Sequence, residues 1–247
     1  MSPDSLCIVV PVYNAENSLE PLVERLQKVL SGFATWQIVL VNDGSTDGSA
    51  DKLRKLYSRY DNLTAIFLQK NYGQQSALLC GLRECRCNYA AIIDDDLEQD
   101  PEDIPLLYDE LQKGYDVVYG VGAAERGAFR GFGSRLRDRL FDHITNKPRE
   151  MKVCSFRIMN RATVEKVTQA DTRFVYISLE ILKHTNRIGN VSVRAGERAP
   201  SGYRPLRLMR LLMQMYIYYA PCRLLRPVRR HGACYEVGEK LQREDGK

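Results

Sequence analysis

Three consecutive carboxylates, Asp94-Asp95-Asp96, follow directly on the apolar run Ala90-Ala91-Ile92-Ile93. Adjacent acids repel one another unless a cation or a basic partner neutralises them. Along an extended segment Asp94 and Asp96 point to one side and Asp95 to the other, and the same parity puts Glu98 with the first pair. Three hard oxygen ligands on one side suit Mg²⁺ or Mn²⁺, with phosphate oxygens and water completing an octahedron. A solvated acidic turn without a ligand is the alternative, and spacing alone does not choose between them. Asp43, in the turn Asn42-Asp43-Gly44-Ser45, is a second candidate. It serves either a nucleotide or simple turn chemistry.

The elements that must position these residues are legible around them. Leu6–Val12 is a short apolar run ending at Tyr13-Asn14, which reads as a buried strand. Leu19, Leu22, Val23, Leu26, Val29 and Leu30 then recur at helical spacing. Trp36–Val41 is a second strand, after which Ser45-Thr46-Asp47 can cap a helix carrying Leu53 and Leu56. Leu63–Leu68 is a third strand, Gln74–Leu82 a helix and Tyr89–Ile93 a fourth strand. Alternation at about 25 residues per unit predicts an α/β fold, a mostly parallel Rossmann-like sheet with helices on both faces. Ligands of such sheets lie beyond the carboxyl ends of the strands. Tyr13-Asn14, Asn42-Asp43 and Asp94-Asp95-Asp96 all fall on that edge.

The later part is less regular. Gly120–Gly133 is glycine-rich, a helix bearing Arg135, Arg137 and Arg139 is expected after it, and Lys152–Met159 reads as a strand. Helices are expected at about 160–169 and 174–186, and a late strand at Asn190–Arg194. Pro205–Tyr219 reads as an amphipathic helix in which Arg207, Arg210 and Gln214 form a narrow polar stripe. Such a helix can lie in a lipid headgroup region, or else pack on the domain core or form one face of a homo-oligomer. The last dozen residues are polar and read as a loose tail. These divisions give a catalytic domain at 1–200, a basic amphipathic segment at 201–232 and a flexible tail at 233–247.

The chain of 247 residues suffices for one large α/β domain. Its net charge of +5 is uneven: nine arginines stand against Glu197 alone between Arg194 and Arg230, so the remainder is near −3. Arginine concentrated in one terminal segment points to phosphate or anionic lipid, each basic residue near such a surface contributing about 1 kcal/mol. Nucleic acid is disfavoured as a partner, because the acidic strand edge repels a phosphate backbone. The seven cysteines are scattered, and Cys85-x-Cys87 is too close for the usual zinc spacing. They read as free thiols of a reducing compartment. No signal peptide and no run of roughly 18 to 20 apolar residues is evident, so the expected place is cytoplasmic, peripheral on the membrane face.

Val10-Pro11-Val12-Tyr13-Asn14, then Val41–Gly48 (VNDGSTDG), then Asp94-x-Asp96 resemble family 2 inverting glycosyltransferases of the GT-A fold. Lys70–Leu78, Asp94–Pro105, Tyr115–Gly120 and Phe156–Arg161 resemble its polyprenyl-phosphate branch, and Ser201-Gly202-Tyr203 with Arg204 and Arg207 resembles the branch's late basic motif. The resemblance covers about residues 6–225. It implies that Pro11, Tyr13 and Asp43 contact base and ribose, with Asn14, Gln74 and Asp95 in the same nucleotide-binding set. It also implies that Asp94, Asp96 and Glu98 surround Mg²⁺ or Mn²⁺. Two departures stand out: the branch usually has Gln where this chain has Glu98, and Val-Arg where it has Val121-Gly122. Arg126, Arg130 and Arg135 therefore compete for the phosphate-binding role, with Arg126, Arg135, Ser201 and Arg204 as candidate catalytic residues beside Asp94 and Asp96.

The resulting expectation is transfer of a sugar from a nucleotide-sugar donor to a polyprenyl-phosphate lipid. A lipid phosphate is already ionised and needs no general base, so positioning and charge stabilisation carry the reaction. A hydroxyl acceptor on a growing glycan would need a carboxylate base. The second half offers Glu180 and Asp171, outside any recognisable acidic pair. A catalytically silent nucleotide-sugar-binding or scaffold protein is the third reading, against which the intact Asp94-x-Asp96 pair argues.

Overall fold

The computed structural model describes residues 5–122, 139–145, 147–148, 150–194 and 205–243. One eight-stranded sheet runs through them. Its strands are β1 (Ser5–Val12), β2 (Thr35–Asn42), β3 (Leu63–Leu68), β4 (Tyr89–Ile92), β5 (Val117–Gly122), β6 (Arg157–Asn160), β7 (Ile188–Val193) and β8 (Val237–Leu241). Their spatial order is β7-β5-β6-β4-β1-β2-β3-β8. β4, β1, β2 and β3 are mutually parallel, as are β5 and β7. Only β6, wedged between β4 and β5, and β8, at the edge beside β3, run antiparallel.

Strand alternation divides the interior into two cores. Leu6, Ile8, Val10 and Val12 of β1 face one way, against Leu19, Leu22, Val23, Leu26 and Leu30 of α1 (Leu19–Leu30) and Leu53 and Leu56 of α2 (Ser49–Arg59). Ile104, Leu107 and Leu111 of α4 (Ile104–Leu111) complete that side. Cys7 and Val9 face the other way, against α3 (Gln74–Glu84), α5 (Arg161–Thr168) and α6 (Ile177–His184). β1 is thus apolar at nearly every position because both of its faces are covered. α3 lies so close to the sheet that a Cβ on Gly81 would come within 2.4 Å of Val9 Cγ1.

Three sequence expectations change in detail. Of the Lys152–Met159 run only Arg157–Met159 joins the ladder, in a strand that ends at Asn160. The residues before it are held instead by side chains: Lys152 N donates to Asn190 Oδ1, Asn190 Nδ2 donates back to Lys152 O, and Cys154 Sγ donates to Gly120 O. The expected loose tail contains β8, paired with β3 and tied by ion pairs to α3 (Lys240–Glu84) and α2 (Glu239–Arg54). The helix expected over Arg135–Arg139 falls mostly outside the described residues, of which 139–144 are helical.

α7 (Pro205–Tyr219) is the amphipathic helix expected from sequence. Leu212, Met215 and Tyr219 are buried against the α6 side of the sheet, while Met209, Arg210, Met213 and Tyr216 are exposed. No described helix is long and apolar enough to cross a membrane. All seven cysteines are free thiols.

Candidate functional site

The site lies at the carboxyl ends of β1, β2 and β4. Val12 pairs with Asn42, so β1 and β2 end level with each other. Ile92 of β4 sits opposite Val9, three residues earlier, and the chain after it therefore runs on beside β1. That offset brings Asp95 level with Tyr13, and Asp95 Oδ2 accepts a 2.9 Å hydrogen bond from Tyr13 N. Asp95 and Asp96 lie in a turn, so the extended parity read from sequence does not apply to them.

Asp94 occupies a different environment. The side-chain amides of Gln74 and Gln99 donate to its Oδ1 and Oδ2, each at 2.7 Å, and Asp94 N donates to Gln99 Oε1 at 3.1 Å. The same Gln99 amide also donates to Ser155 Oγ at 2.7 Å. Burial nevertheless pushes the Asp94 carboxyl above the usual range, and the neighbouring charge of Asp96 adds to the rise. Burial likewise pushes Asp95 up to about 6, against the opposing Tyr13 N–H. Asp96 is exposed, with Oδ1 accepting from Glu98 N at 3.0 Å.

The three expected ligands are not seen gathered into one group. Among the described residues no group of three His, Cys, Asp or Glu side chains gathers where it could hold a metal ion. The cause is local. Leu97 has a left-handed φ of 63°, which breaks the extended path on which the parity of Glu98 rests. What remains is the pair Asp94 and Asp96, close enough for one charge to raise the other's pKa. Two carboxylates with open coordination positions fit a hard divalent cation that takes its remaining oxygens from a bound diphosphate and water.

The β2 end is welded to the loop before α3. Asp43 Oδ1 accepts from Tyr72 N at 2.7 Å and Oδ2 from Gly73 N at 2.8 Å. Burial raises its pKa, opposed by these two N–H groups. Gly44, at φ 67°, passes so near this loop that a Cβ would lie 2.6 Å from Asn71 N. Asp43 is thus already engaged with backbone, leaving its second lone pairs for a base or ribose.

Asn14, also left-handed at φ 54°, laces the β1 end to the β2 turn. Its N–H donates to Ser45 Oγ at 3.0 Å, and its Oδ1 accepts from Thr46 N at 2.8 Å. Tyr13 stands between these anchors with 48% of its surface exposed, and Pro11 of β1 sits opposite Val41 of β2. The structure therefore brings Pro11, Tyr13, Asn14, Asp43, Gln74, Asp94, Asp95 and Asp96 to one edge. Arg126, Arg135, Ser201 and Arg204 lie outside the described residues.

Sequence reasoning missed Gln99, Ser155 and Arg157. Arg157 is buried, donating from Nε to Ser155 O at 3.0 Å and from NH1 to Ser178 Oγ at 2.7 Å, with its guanidinium 5.6 Å from the Tyr119 ring. A buried cation among neutral partners is costly unless a nearby negative charge offsets it, and its field favours ionised Asp94. The only signal in the sequence was an arginine in an otherwise apolar strand.

Of the two second-half carboxylates considered from sequence, Glu180 is tied into the fold, whereas Asp171 is exposed. Glu180 is buried, accepting from Tyr219 OH at 2.7 Å and from Lys183 Nζ at 3.0 Å. Asp171 accepts from Gly232 N at 3.0 Å and faces His231.

Comparison with known proteins agrees with this architecture. The description Glycosyl transferase family 2 matches residues 7–168. Undecaprenyl-phosphate 4-deoxy-4-formamido-L-arabinose transferase of Pseudomonas fluorescens (strain Pf0-1) is 33% identical over 226 residues, covering 88% of this chain and 66% of the relative. The protein of the same name from Yersinia pestis (strain Pestoides F) is 33% identical over 214 residues, covering 85% and 64%. The chain thus spans about two thirds of the length of these curated relatives. Among solved structures, glucosyl-3-phosphoglycerate synthase from Mycobacterium tuberculosis with Mn²⁺, UDP-glucose and phosphoglyceric acid superposes with a TM-score of 0.63 at 16% identity. That match covers 87% of this chain and 78% of the other. S. aureus TarS 1-349 with UDP-GlcNAc gives 0.55 at 18% identity, covering 89% and 68%. At such identities the structural likeness speaks for the fold, a GT-A arrangement. The sequence match over two thirds of its length goes further, and this chain belongs to glycosyltransferase family 2.

Proposed function

We propose that this protein transfers a sugar from a nucleotide-sugar donor to the phosphate of a polyprenyl-phosphate lipid, with inversion at the anomeric carbon. The donor nucleotide lies across the β1–β2 edge, with Tyr13 against the base and Asp43 at base or ribose. Its diphosphate reaches the acid turn, where Asp94 and Asp96 hold Mg²⁺ or Mn²⁺. The cation supplies neutralisation of the charge that develops on the departing diphosphate. Gln74 and Gln99 hold the Asp94 carboxylate, Gln99 being itself held by Ser155, so its orientation is set before substrate arrives.

The observation that carries the choice of acceptor is the commitment of Glu180. A hydroxyl acceptor needs a base, and the buried Glu180 is bound to Tyr219 and Lys183, while Asp171 is exposed and accepts from the Gly232 backbone. A phosphate oxygen is ionised at neutral pH and needs none. The names of the curated relatives support the same acceptor class. Arg126, Arg135, Ser201 and Arg204 are the proposed acceptor-side residues.

α7 supports a membrane-surface location on the cytoplasmic face. Met209 and Met213 are each 60% exposed and Tyr216 lies on the same face, with Arg210 among them. Leu224 follows at 86%. Apolar side chains interleaved with arginines suit an anionic headgroup layer.

The test is transfer from a panel of nucleotide sugars to undecaprenyl and dolichyl phosphate, with Mg²⁺ or Mn²⁺ and with chelator. Metal-dependent formation of a lipid-phospho-sugar is the expected result. Transfer to a soluble saccharide instead would replace the acceptor, and donor binding without any product would favour a silent binding protein.

A further inference from the structure

Asp95 shares none of the side-chain partners of Asp94, and its contact is with the protein's own backbone. Its Oδ2 accepts the Tyr13 N–H at 2.9 Å. The next residue is held from the β2 side, through Asn14 N to Ser45 Oγ and Thr46 N to Asn14 Oδ1. Two separate segments thus fix the two consecutive peptide units that carry the Tyr13 ring. The ring itself is half exposed at the mouth of the site. Asn14, directly after it, is left-handed at φ 54°, a conformation that asparagine accepts at small cost and that turns the chain out of β1.

We infer that Asp95 is a positioning residue for the donor, holding Tyr13 as a preset platform for the nucleotide base and so tying the acid turn mechanically to base recognition. The inference rests on the donor reading of the site. It gives the middle acid a task distinct from those of its neighbours: Asp94 and Asp96 serve the diphosphate end, whereas Asp95 serves the base end through Tyr13. Losing the hydrogen bond frees the loop, and ordering it again weakens nucleotide binding without removing any group that touches the phosphates.

The experiment is calorimetric titration of the full chain with UDP, GDP, CDP and ADP in the presence of Mn²⁺, followed by the tightest of them with variants. Asp95→Ala is expected to weaken binding roughly tenfold, the usual worth of one such hydrogen bond with its ordering. Asp95→Asn, which keeps an acceptor oxygen for Tyr13 N, is expected to stay within about threefold of the parent. Because Asp95 acts through Tyr13, Asp95→Ala in a Tyr13→Ala background should cost almost nothing further, a non-additivity that a general structural defect would not produce. Should Asp95→Ala not fold, Asn14→Ala loosens the same loop from the other side and is expected to weaken binding in the same direction. Unchanged affinity in Asp95→Ala overturns the inference and leaves the donor reading standing, as does an Asp95→Asn variant as weak as Asp95→Ala, or full additivity with Tyr13→Ala. Absence of nucleotide binding by the parent chain overturns the donor reading and this inference together.

Discussion

The side-chain amide of Gln74 donates a 2.7 Å hydrogen bond to Oδ1 of Asp94, joining the first residue of α3 to the acid turn after β4. Gln74 is exposed, so its contribution to folding is small. Its effect lies in aiming a buried carboxylate that burial disfavours in ionised form. Gln74→Ala is therefore expected to lower turnover at saturating donor roughly five- to tenfold with little change in melting temperature. Rate assays beside thermal melts separate the two effects, and an unchanged rate would show that Gln99 aims Asp94 unaided.

Asp96 differs from Asp94 in having an exposed carboxylate whose described bond is a local one from Glu98 N. Asp96→Ala should leave the fold intact and reduce transfer at least about a hundredfold, the scale on which lost charge stabilisation of a departing group is felt. Excess chelator on the parent enzyme should reproduce the loss. A fully active variant would remove the cation from the proposal.

How much of this was readable beforehand follows from what each signal depends on. The first four strands and three helices announce themselves because local periodicity and two-sided burial coincide there, as in Leu6–Val12 and Leu19–Leu30. The parity that set Asp95 apart and grouped Glu98 with Asp94 and Asp96 assumes an extended chain, whereas Asp95 and Asp96 lie in a turn and the left-handed Leu97 carries no advance mark in its side chain. β8 was missed because an exposed edge strand such as Val237–Leu241 has no apolar alternation; pairing with β3 creates it. The roles of Glu180 and Arg157 depend on partners 39 and 21 residues away, contacts that no spacing rule reports.

The segment after the acid turn is riveted to α1. Arg25 donates from Nε to Glu102 Oε1 at 3.0 Å and from NH2 to Asp100 Oδ1 at 2.5 Å. Hydrogen bonds from Arg25 hold the Glu102 carboxyl below its usual 4.5. A carboxyl with a depressed folded-state pKa adds stability above its unfolded value, and that stability is lost as pH falls through the folded value. Both partners are partly exposed, so solvent screening limits the effect. Arg25→Met should cost about 1 kcal/mol near neutral pH. Denaturant midpoints should show the gap from the parent closing as pH drops below 4.5. A gap that persisted in acid would mean that packing of the arginine stem, not its charge, carries the effect.

The exposed apolar ridge of α7 gives a direct test of surface binding. Met213→Glu and Leu224→Glu each place a carboxylate on a well-exposed position, so the folded state has little to lose. Sedimentation with anionic vesicles should show binding reduced roughly tenfold in the pair, through lost apolar burial and added repulsion. Nucleotide affinity should not change. Equal vesicle binding by parent and variant would assign this ridge to another surface.

Tyr219 decides whether that helix is held rigidly to the sugar-transfer domain. Its hydroxyl donates to Glu180 Oε1 at 2.7 Å and accepts from Tyr176 N at 2.9 Å, so one group fixes α7 to both α6 and its N-cap. Tyr219→Phe keeps the ring but strips both partners, leaving a buried N–H and a carboxylate oxygen short of a bond, at a cost of about 1 to 3 kcal/mol. Lys183 still faces Glu180, so the charge is not stranded. The damage should therefore fall on the α6–α7 contact and spare the β1–β2 edge. Hydrogen exchange is expected to quicken in residues 205–219 and not in β1–β4, with nucleotide affinity retained and transfer to vesicle-borne lipid slowed. Uniform quickening across the sheet would instead make Tyr219 part of the global core, and the helix would have no separate mechanical link to lose.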